Sequence, residues 1–497
     1  MGLLGAVPLL LLSCITFFLA LLWRSHRSRS KLPPGPTPLP FVGNLLLQVD
    51  IRDLIGSFHR LHQQYGPVFT IHMGSRPVVV LCGYEAVKEA LVDHAEAFGG
   101  RGLTTGLEND LNNFGIITTN GERWRQMRRF SLSTLRNFGM GKRSIEERIQ
   151  EEAQFLVEAL KKTEGRPFDP TFHLGHAVSN VICSVVFGTR FDYEDKDFTT
   201  LLNLISQIIQ LVLSTKAQLA VCFPELMRIV PGSHHRQSEY EEELVRFVSK
   251  RIQMHRESLD PNCPQDFIDS FLTKMEQEKN NPASEFHDKN LMASVLHLFI
   301  AGAETVSTTL RYGLLFLLRY PEIEAKVQEE IDRVIGRNRD PCMEDRSRMP
   351  YTDAVIHEIL RFVDINPLGT PHSVTSDTHF RGYTIPKGTT VFTFLTTVLR
   401  DPQHFETPMK FNPGHFLDED GAFKKSEAFL AFSAGKRVCP GESLARMELF
   451  LFLIMLLQNF HLKKLHDGEE VNILPQKQSA GNHPRPYRIC MVPRNKA

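Results

Sequence analysis

One cysteine in this sequence has neighbours suited to reactive sulfur chemistry. The segment Phe432-Ser433-Ala434-Gly435-Lys436-Arg437-Val438-Cys439-Pro440-Gly441 places Cys439 between two glycines and beside two cations. Glycine permits the tight turns that leave backbone amides pointing at a sulfur, and the charge of Arg437 favours a thiolate. Gly441 opens an apolar run over 442–457 with helical periodicity. The sulfur therefore precedes a helix N-terminus, where the dipole also favours negative charge. A lone cysteine without such surroundings is more often buried and inert.

A second group with chemical potential is Ala301-Gly302-Ala303-Glu304-Thr305, in the middle of an apolar stretch over 290–319. At 1.5 Å per residue a helix of that length spans on the order of 45 Å and crosses a whole domain. Small side chains let a flat ligand approach the backbone, Gly302 weakens the helix, and the Thr305 hydroxyl can bond back to a carbonyl one turn earlier. The stretch reads either as a distorted helix with a polar hydroxyl or as ordinary packing on small side chains.

The elements that must position these groups follow from periodicity. Short β-branched runs at 68–73 and 77–82, separated by Gly74-Ser75-Arg76, predict a hairpin. Helical patterns cover 85–91, 122–135, 144–162, 239–257 and 291–318, with short strands at 384–385 and 390–394 and a hairpin in the Pro-rich tail. The expectation is a mainly α protein with a small β part. No linker, charge block or repeat divides the chain after residue 40, so 41–497 reads as one catalytic domain.

Composition narrows the function. The 497 residues are 42% hydrophobic, and 57 basic residues balance 57 acidic ones, so nothing in the overall charge points to nucleic acid. Eight scattered cysteines form neither a CxxC pair nor a disulfide framework, which fits a reducing compartment. Residues 2–23 lack charge over the length a membrane-spanning helix needs, and Arg24, Arg27, Arg29 and Lys31 follow at once. The positive-inside rule keeps that end cytoplasmic. A cleaved signal peptide is the rival, but it has a shorter apolar run with its charges in front. Residues 1–23 thus read as a single-pass anchor, and 24–40 as a basic stop-transfer segment with an extended Pro-rich hinge.

The cysteine segment resembles the haem-binding loop of the cytochromes P450, Phe-x-x-Gly-x-Arg-x-Cys-x-Gly, at each fixed position: Phe432, Gly435, Arg437, Cys439 and Gly441. Three further family patterns follow in order along the chain. They are Ala-Gly-x-Glu-Thr at 301–305, Glu-x-x-Arg at Glu358 and Arg361, and Pro-x-x-Phe at 413–416. Trp124 with Arg128, the hinge and the apolar N-terminus look most like the vertebrate microsomal enzymes of family two. The resemblance covers nearly the whole chain and implies a P450 fold preceded by one transmembrane helix.

It also implies roles. Cys439 is the thiolate ligand to the iron of haem b, while Arg101, Trp124, Arg128, His372 and Arg437 hold the propionates. Ala301, Phe432, Gly435 and Gly441 contact the haem, and Thr305 with Glu304 manages protons. Glu358, Arg361 and His415 form a buried structural group, whereas an isolated Glu-Arg pair is usually a solvated contact. Phe114, Ile116, His297, Ile300 and Leu368 fall where relatives line the substrate pocket. His297 stands where many relatives carry an acid, which argues against a preference for cationic amines. Pro440 departs from the usual aliphatic residue and removes an amide next to the sulfur; it either leaves a more basic thiolate or stiffens the turn.

The implied reaction inserts one oxygen atom of O2 into a hydrophobic small molecule, such as a xenobiotic, fatty acid or steroid. No GxGxxG fingerprint supplies a nicotinamide domain, so NADPH acts indirectly. The resemblance implies NADPH–cytochrome P450 reductase as donor, with cytochrome b5 as a further partner, on the cytoplasmic face of the endoplasmic reticulum membrane. Arg125, Arg129, Arg136, Lys142, Arg143 and Lys436 form a candidate basic docking face. The apolar runs 201–213 and 217–230 suggest a second bilayer contact. Two other functions stay open: a haem-thiolate isomerase, against which Glu304 and Thr305 speak, and a membrane-bound haem or sterol binder without turnover.

Overall fold

The computed structural model describes residues 31–494 except 46, 103–109, 140–142, 224–232, 467, 469 and 477–480. The expected anchor over 1–23, the cations Arg24, Arg27 and Arg29, Lys142 and the end of the second apolar run lie outside the described residues.

The first hairpin forms where the β-branched runs predict it. Val68–Met73 (β1) pairs antiparallel with Arg76–Cys82 (β2), from Val68 opposite Leu81 to Met73 opposite Arg76. Both strands are buried almost throughout, which is why they read as continuous apolar runs rather than alternating ones. Gly100–Arg101 (β3), His372–Ser373 (β4) and Thr390–Phe394 (β7) complete a five-stranded sheet in the order β1-β2-β7-β4-β3. Thr378–Phe380 (β5) and Tyr383–Ile385 (β6) form a separate hairpin. In the tail, Pro475–Gln476 pairs with His483–Pro484, and Phe460–Lys463 pairs with Cys490–Pro493.

The rest is mainly α. The predicted helices appear as Gly121–Asn137, Arg143–Lys161, Ser233–Ser258, Asp288–Arg319 and Glu442–Asn459. The stretch expected as helix over 85–91 divides into Tyr84–Lys88 and a π turn, Glu89–Asp93. Pro321 and Pro350 each occupy the first turn of a helix, where a missing amide hydrogen costs nothing.

Asp288–Arg319 runs through the main apolar core, packed lengthwise on Thr171–Val186. It is continuous through Gly302. A Cβ at Gly302 would stand 2.9 Å from Ile182 Cγ1, so the glycine permits close helix packing. Thr305 nevertheless makes the predicted back-bond, its Oγ1 donating to Ala301 O at 2.8 Å. Both readings of the stretch hold in part: the small residues pack, and the hydroxyl bonds back without breaking the helix. Among the described residues this helix alone is long and apolar enough to cross a bilayer, but 61% of its most apolar window is buried inside the protein. Lys196–Val212 and Thr215–Cys222 meet that test only as a pair, bent by 56°.

Candidate functional site

The Cys439 loop is shaped by backbone that only certain residues allow. Gly435 has φ +72°, and a Cβ there would lie 1.8 Å from Leu91 O, at the π turn. A 3-10 turn over Gly435–Arg437 follows, and Cys439 N–H closes the loop onto Phe432 O at 3.0 Å. Gly441 caps Glu442–Asn459, and the amides of Gly441 and Glu442 both favour a charged sulfur. Pro440 between them contributes none.

Burial pushes the Cys439 thiol up, opposed first by the Gly441 amide; the Glu442 charge adds to the upward push, and the Arg128 charge opposes it less strongly. The sulfur is at once accessible and desolvated, because it opens onto an internal cleft walled by protein. The cation that acts on it is Arg128, which donates to Val438 O at 2.6 Å, and not Arg437 as the sequence suggests. Arg437 turns away, donating to Gly99 O at 2.9 Å and Thr119 O at 2.8 Å, with its guanidinium 3.8 Å from the Trp124 ring. Sequence adjacency misleads here: the 3-10 turn swings Arg437 off the sulfur, while Arg128 reaches it from a distant helix.

Around the same cleft, Arg101 and His372 are register partners on β3 and β4. Arg101 donates to Thr370 O at 2.9 Å, and Asn120 Oδ1 accepts from both the Arg101 amide and Arg437. His372 Nδ1 donates to Phe98 O at 2.8 Å, and burial followed by the Arg101 charge holds its pKa down at about 3. Burial likewise lowers Arg101, Arg128 and Arg437, and for Arg437 the like charges of Arg101 and Arg128 add to it. No carboxylate pairs with any of these three arginines among the described residues, and Trp124 Nε1 and Arg437 Nη1 are buried without an acceptor. Cations and donors brought together without an anion have the chemistry to bind a carboxylate.

Ala301 and Thr305 are exposed to open space on the long helix, two members of one helical strip. Glu304 takes another direction. Its Oε1 accepts from Thr308 Oγ1 at 3.1 Å, and it lines a cavity of about 290 Å³ whose mixed polar and apolar lining includes Asp169, His176, Ser206, Ser307 and Arg311. Burial raises the Glu304 pKa, opposed by Thr308 and then Arg311. Arg311, two turns along the same helix, was legible from its spacing; His176 and Asp169 come from elsewhere and left no signal. His483, from the tail hairpin, stands 3.8 Å from Glu304 Oε1.

The remaining residues divide. His297 Nδ1 accepts from the amides of Ile116 at 3.1 Å and Ile117 at 3.3 Å, and Asn290 Oδ1 accepts from Gly115 N–H at 2.9 Å. The long helix thus pins the loop 115–117, and Ile116 is buried beside it. Ile300 is half-buried, Leu368 packs in the cluster beneath the sheet, and the Phe114 ring lies under Arg123 at 4.6 Å and Lys289 at 5.5 Å. Phe432 is half-buried, with the Arg446 guanidinium 5.4 Å from its ring.

Glu358 and Arg361 form a fully buried bidentate pair, at 2.6 and 2.7 Å, rather than a solvated contact. Arg361 also donates to the carbonyls of Leu399, Pro408 and Lys410. Thr407 N–H donates to His415 Nε2, which leaves His415 Nδ1–H to donate to Glu358 at 3.3 Å.

Similarity to known proteins runs the length of this architecture. A family model described as cytochrome P450 matches residues 33–491. Cytochrome P450 2C20 of Macaca fascicularis is 55% identical over 484 residues, covering 97% of this chain and 99% of that protein. Cytochrome P450 2C8 of Homo sapiens is 54% identical with the same coverage. Cytochrome P450 2H2 of Gallus gallus is 53% identical over 99% of this chain and all of that protein. With the fold, the loop and these relatives in agreement, the chain belongs to the cytochrome P450 family, is closely related to the vertebrate microsomal family 2 enzymes, and is a haem-thiolate monooxygenase.

Proposed function

We propose that the cleft takes haem b with Cys439 as its thiolate ligand, and that Arg101, Trp124, Arg128, His372 and Arg437 hold its propionates. The observation that carries this reading is the pair of buried, unanswered donors, Trp124 Nε1 and Arg437 Nη1, among cations that no described carboxylate answers, near a sulfur whose charge two amides favour. His372 already gives its Nδ1 hydrogen to Phe98, so a propionate at Nε2 calls for a second proton, which the carboxylate charge itself would favour. Bound haem supplies the activation of O2 with two electrons and two protons. Around it, Thr305 would order the protons from its place on the open face of the long helix, with Glu304 drawing them from the cavity it lines. The substrate is a hydrophobic small molecule, a xenobiotic, fatty acid or steroid, and a library of these incubated with reductase, NADPH and O2 and read by product mass tests the assignment.

Thr305→Ala is expected to bind haem normally but to release more hydrogen peroxide and several-fold less product per NADPH. An unchanged ratio of product to NADPH would remove Thr305 from proton delivery.

Electrons would come from NADPH through cytochrome P450 reductase, with cytochrome b5 as a second donor. Arg125, Arg129 and Arg136 are exposed on the helix whose inner side carries Trp124 and Arg128, and Arg143 and Lys436 are exposed as well. Some of this charge is already engaged: Arg125 with Glu122, Arg143 with Glu147, and Lys436 with Glu96. Residues 1–23 would anchor the protein in the endoplasmic reticulum membrane with its catalytic domain cytoplasmic, and the bent apolar helix pair would rest on the same bilayer. Deleting 1–23 should free the protein from membranes only partly and leave a folded haem protein; complete release in a flotation assay would argue against the second contact.

Pro440→Leu is expected to give a more positive haem reduction potential, since a restored amide draws electron density from the sulfur. Spectroelectrochemical titration of both substrate-free proteins checks it, and an equal or more negative value would leave Pro440 as a stiffener of the turn.

A further inference from the structure

The cavity that Glu304 lines holds a positive charge that no described residue answers. It lies among the helices Thr171–Val186, Lys196–Val212 and Asp288–Arg319, and neither Ala301 nor Thr305 lines it, so it is not the Cys439 cleft. Ala303, Ser307 and Arg311 stand one turn apart along the wall that the long helix presents to it. The Arg311 guanidinium makes no ion pair among the described residues, its Nε is buried without an acceptor, and its terminal nitrogens bond to no described residue. A buried donor in that state opposes folding until something accepts from it. Ser179 reaches the same cavity from Thr171–Val186. The residue is 1% exposed and its hydroxyl bonds to no described residue, yet Oγ is not among the sealed polar atoms, so it opens on the cavity. The acids in the lining do not take up the charge. Asp169 is exposed, with one oxygen accepting from the Thr171 amide at 2.9 Å, and burial biases Glu304 towards its uncharged form. His176 has both ring nitrogens engaged, with Phe172 O at 3.0 Å and Thr199 Oγ1 at 3.2 Å. Phe172, Leu202, Ile205 and Ala303 make the rest of the wall apolar.

We propose that this cavity is a second ligand site, for a small organic carboxylate whose charged end pairs with Arg311 and accepts from Ser179 Oγ while its apolar body lies on Phe172, Leu202 and Ile205. A guanidinium presents parallel N–H groups that match the two oxygens of a carboxylate. The volume of about 290 Å³ admits a body the size of a single ring. An ammonium group is repelled by Arg311, an inorganic anion leaves the apolar wall uncovered, and a neutral molecule leaves the charge unanswered. The site stands apart from the proposed haem site, with which it shares no donor.

The test uses the full-length haem-loaded protein saturated with 4-phenylimidazole, whose nitrogen ligates the iron and keeps the Cys439 cleft filled. Isothermal titration calorimetry then measures the dissociation constants of three probes. Benzoate is the carboxylate, benzamide has nearly its shape without the charge, and acetate has the charge without the ring. Benzoate is expected to bind one to one at millimolar concentration or below, and roughly tenfold or more tightly than either of the others. Arg311→Gln should weaken benzoate by roughly tenfold or more, as loss of a charged hydrogen bond implies, and Ser179→Ala by about fivefold, as loss of a neutral one does. Neither side chain bonds to a described residue, so both variants should fold, and their haem content and melting temperature check that they do. Absence of benzoate binding at millimolar concentration, equal binding of benzamide, or an unchanged affinity in Arg311→Gln would overturn the site. Equal affinities for benzoate and acetate would overturn it as well, by showing that the apolar wall takes no part.

Discussion

Cys439→Ala is expected to fold but to lose the red-shifted Soret band of its ferrous carbonyl complex, and with it monooxygenase turnover above background. The band reports a thiolate on iron, and no other described cysteine is placed to supply one. Cys82, Cys183 and Cys222 are buried, and burial raises all three thiols. Among the described cysteines, Cys439 alone combines exposure with a place at a helix N-terminus whose amides favour its charge. Folding should survive, because the loop is held by Gly435 against Leu91 and by the Cys439 amide on Phe432 O, neither of which uses the side chain. Retention of the band at full haem occupancy would show that the ligand has been misassigned.

Arg361→Leu is expected to be worse for the chain as a whole. Removing one partner of a fully buried ion pair leaves an uncompensated charge, and such changes cost about 3–5 kcal/mol. Here the loss also strips donors from the carbonyls of Leu399, Pro408 and Lys410. Against a total stability of roughly 5–15 kcal/mol, that should leave little protein able to hold haem at 37 °C. The urea midpoint of any protein recovered, measured with haem content, checks this. A midpoint near that of the native chain would mean that Glu358 is satisfied by His415 and the Asn412 amide alone.

How much of this was legible in the sequence depends on whether the determinant is local. The hairpin of β1 and β2, the helix starting at Pro350 and the back-bond of Thr305 follow from neighbours within a few residues, and the chain shows them. The pairing of Glu358 with Arg361 was visible as a spacing, but its burial was legible only through the family resemblance, because the carbonyls that enclose it come from the segment 399–410. Arg437 was expected to serve the sulfur on the strength of adjacency, whereas a turn of a few residues gave that place to Arg128. Glu304 and Thr305 look like one functional pair in sequence, yet adjacent helical positions diverge by about 100°, and their bonds go to different partners. Likewise His297 gave its type but not its tautomer, which the amides of a loop some 180 residues away decide.

The gathering of Arg101, Arg128 and Arg437 without a carboxylate bears on how the chain survives in a cell. Like charges pressed together in a desolvated cleft oppose folding, and the cost is carried until an anion arrives. A dianionic cofactor, if seated there as proposed, would therefore be a counter-ion for folding as well as a reagent. By mass action it adds about 2.7 kcal/mol when free ligand exceeds its dissociation constant a hundredfold. Newly made chain deprived of haem should be the protease-sensitive form, so the amount of enzyme would follow haem supply even when its synthesis does not change.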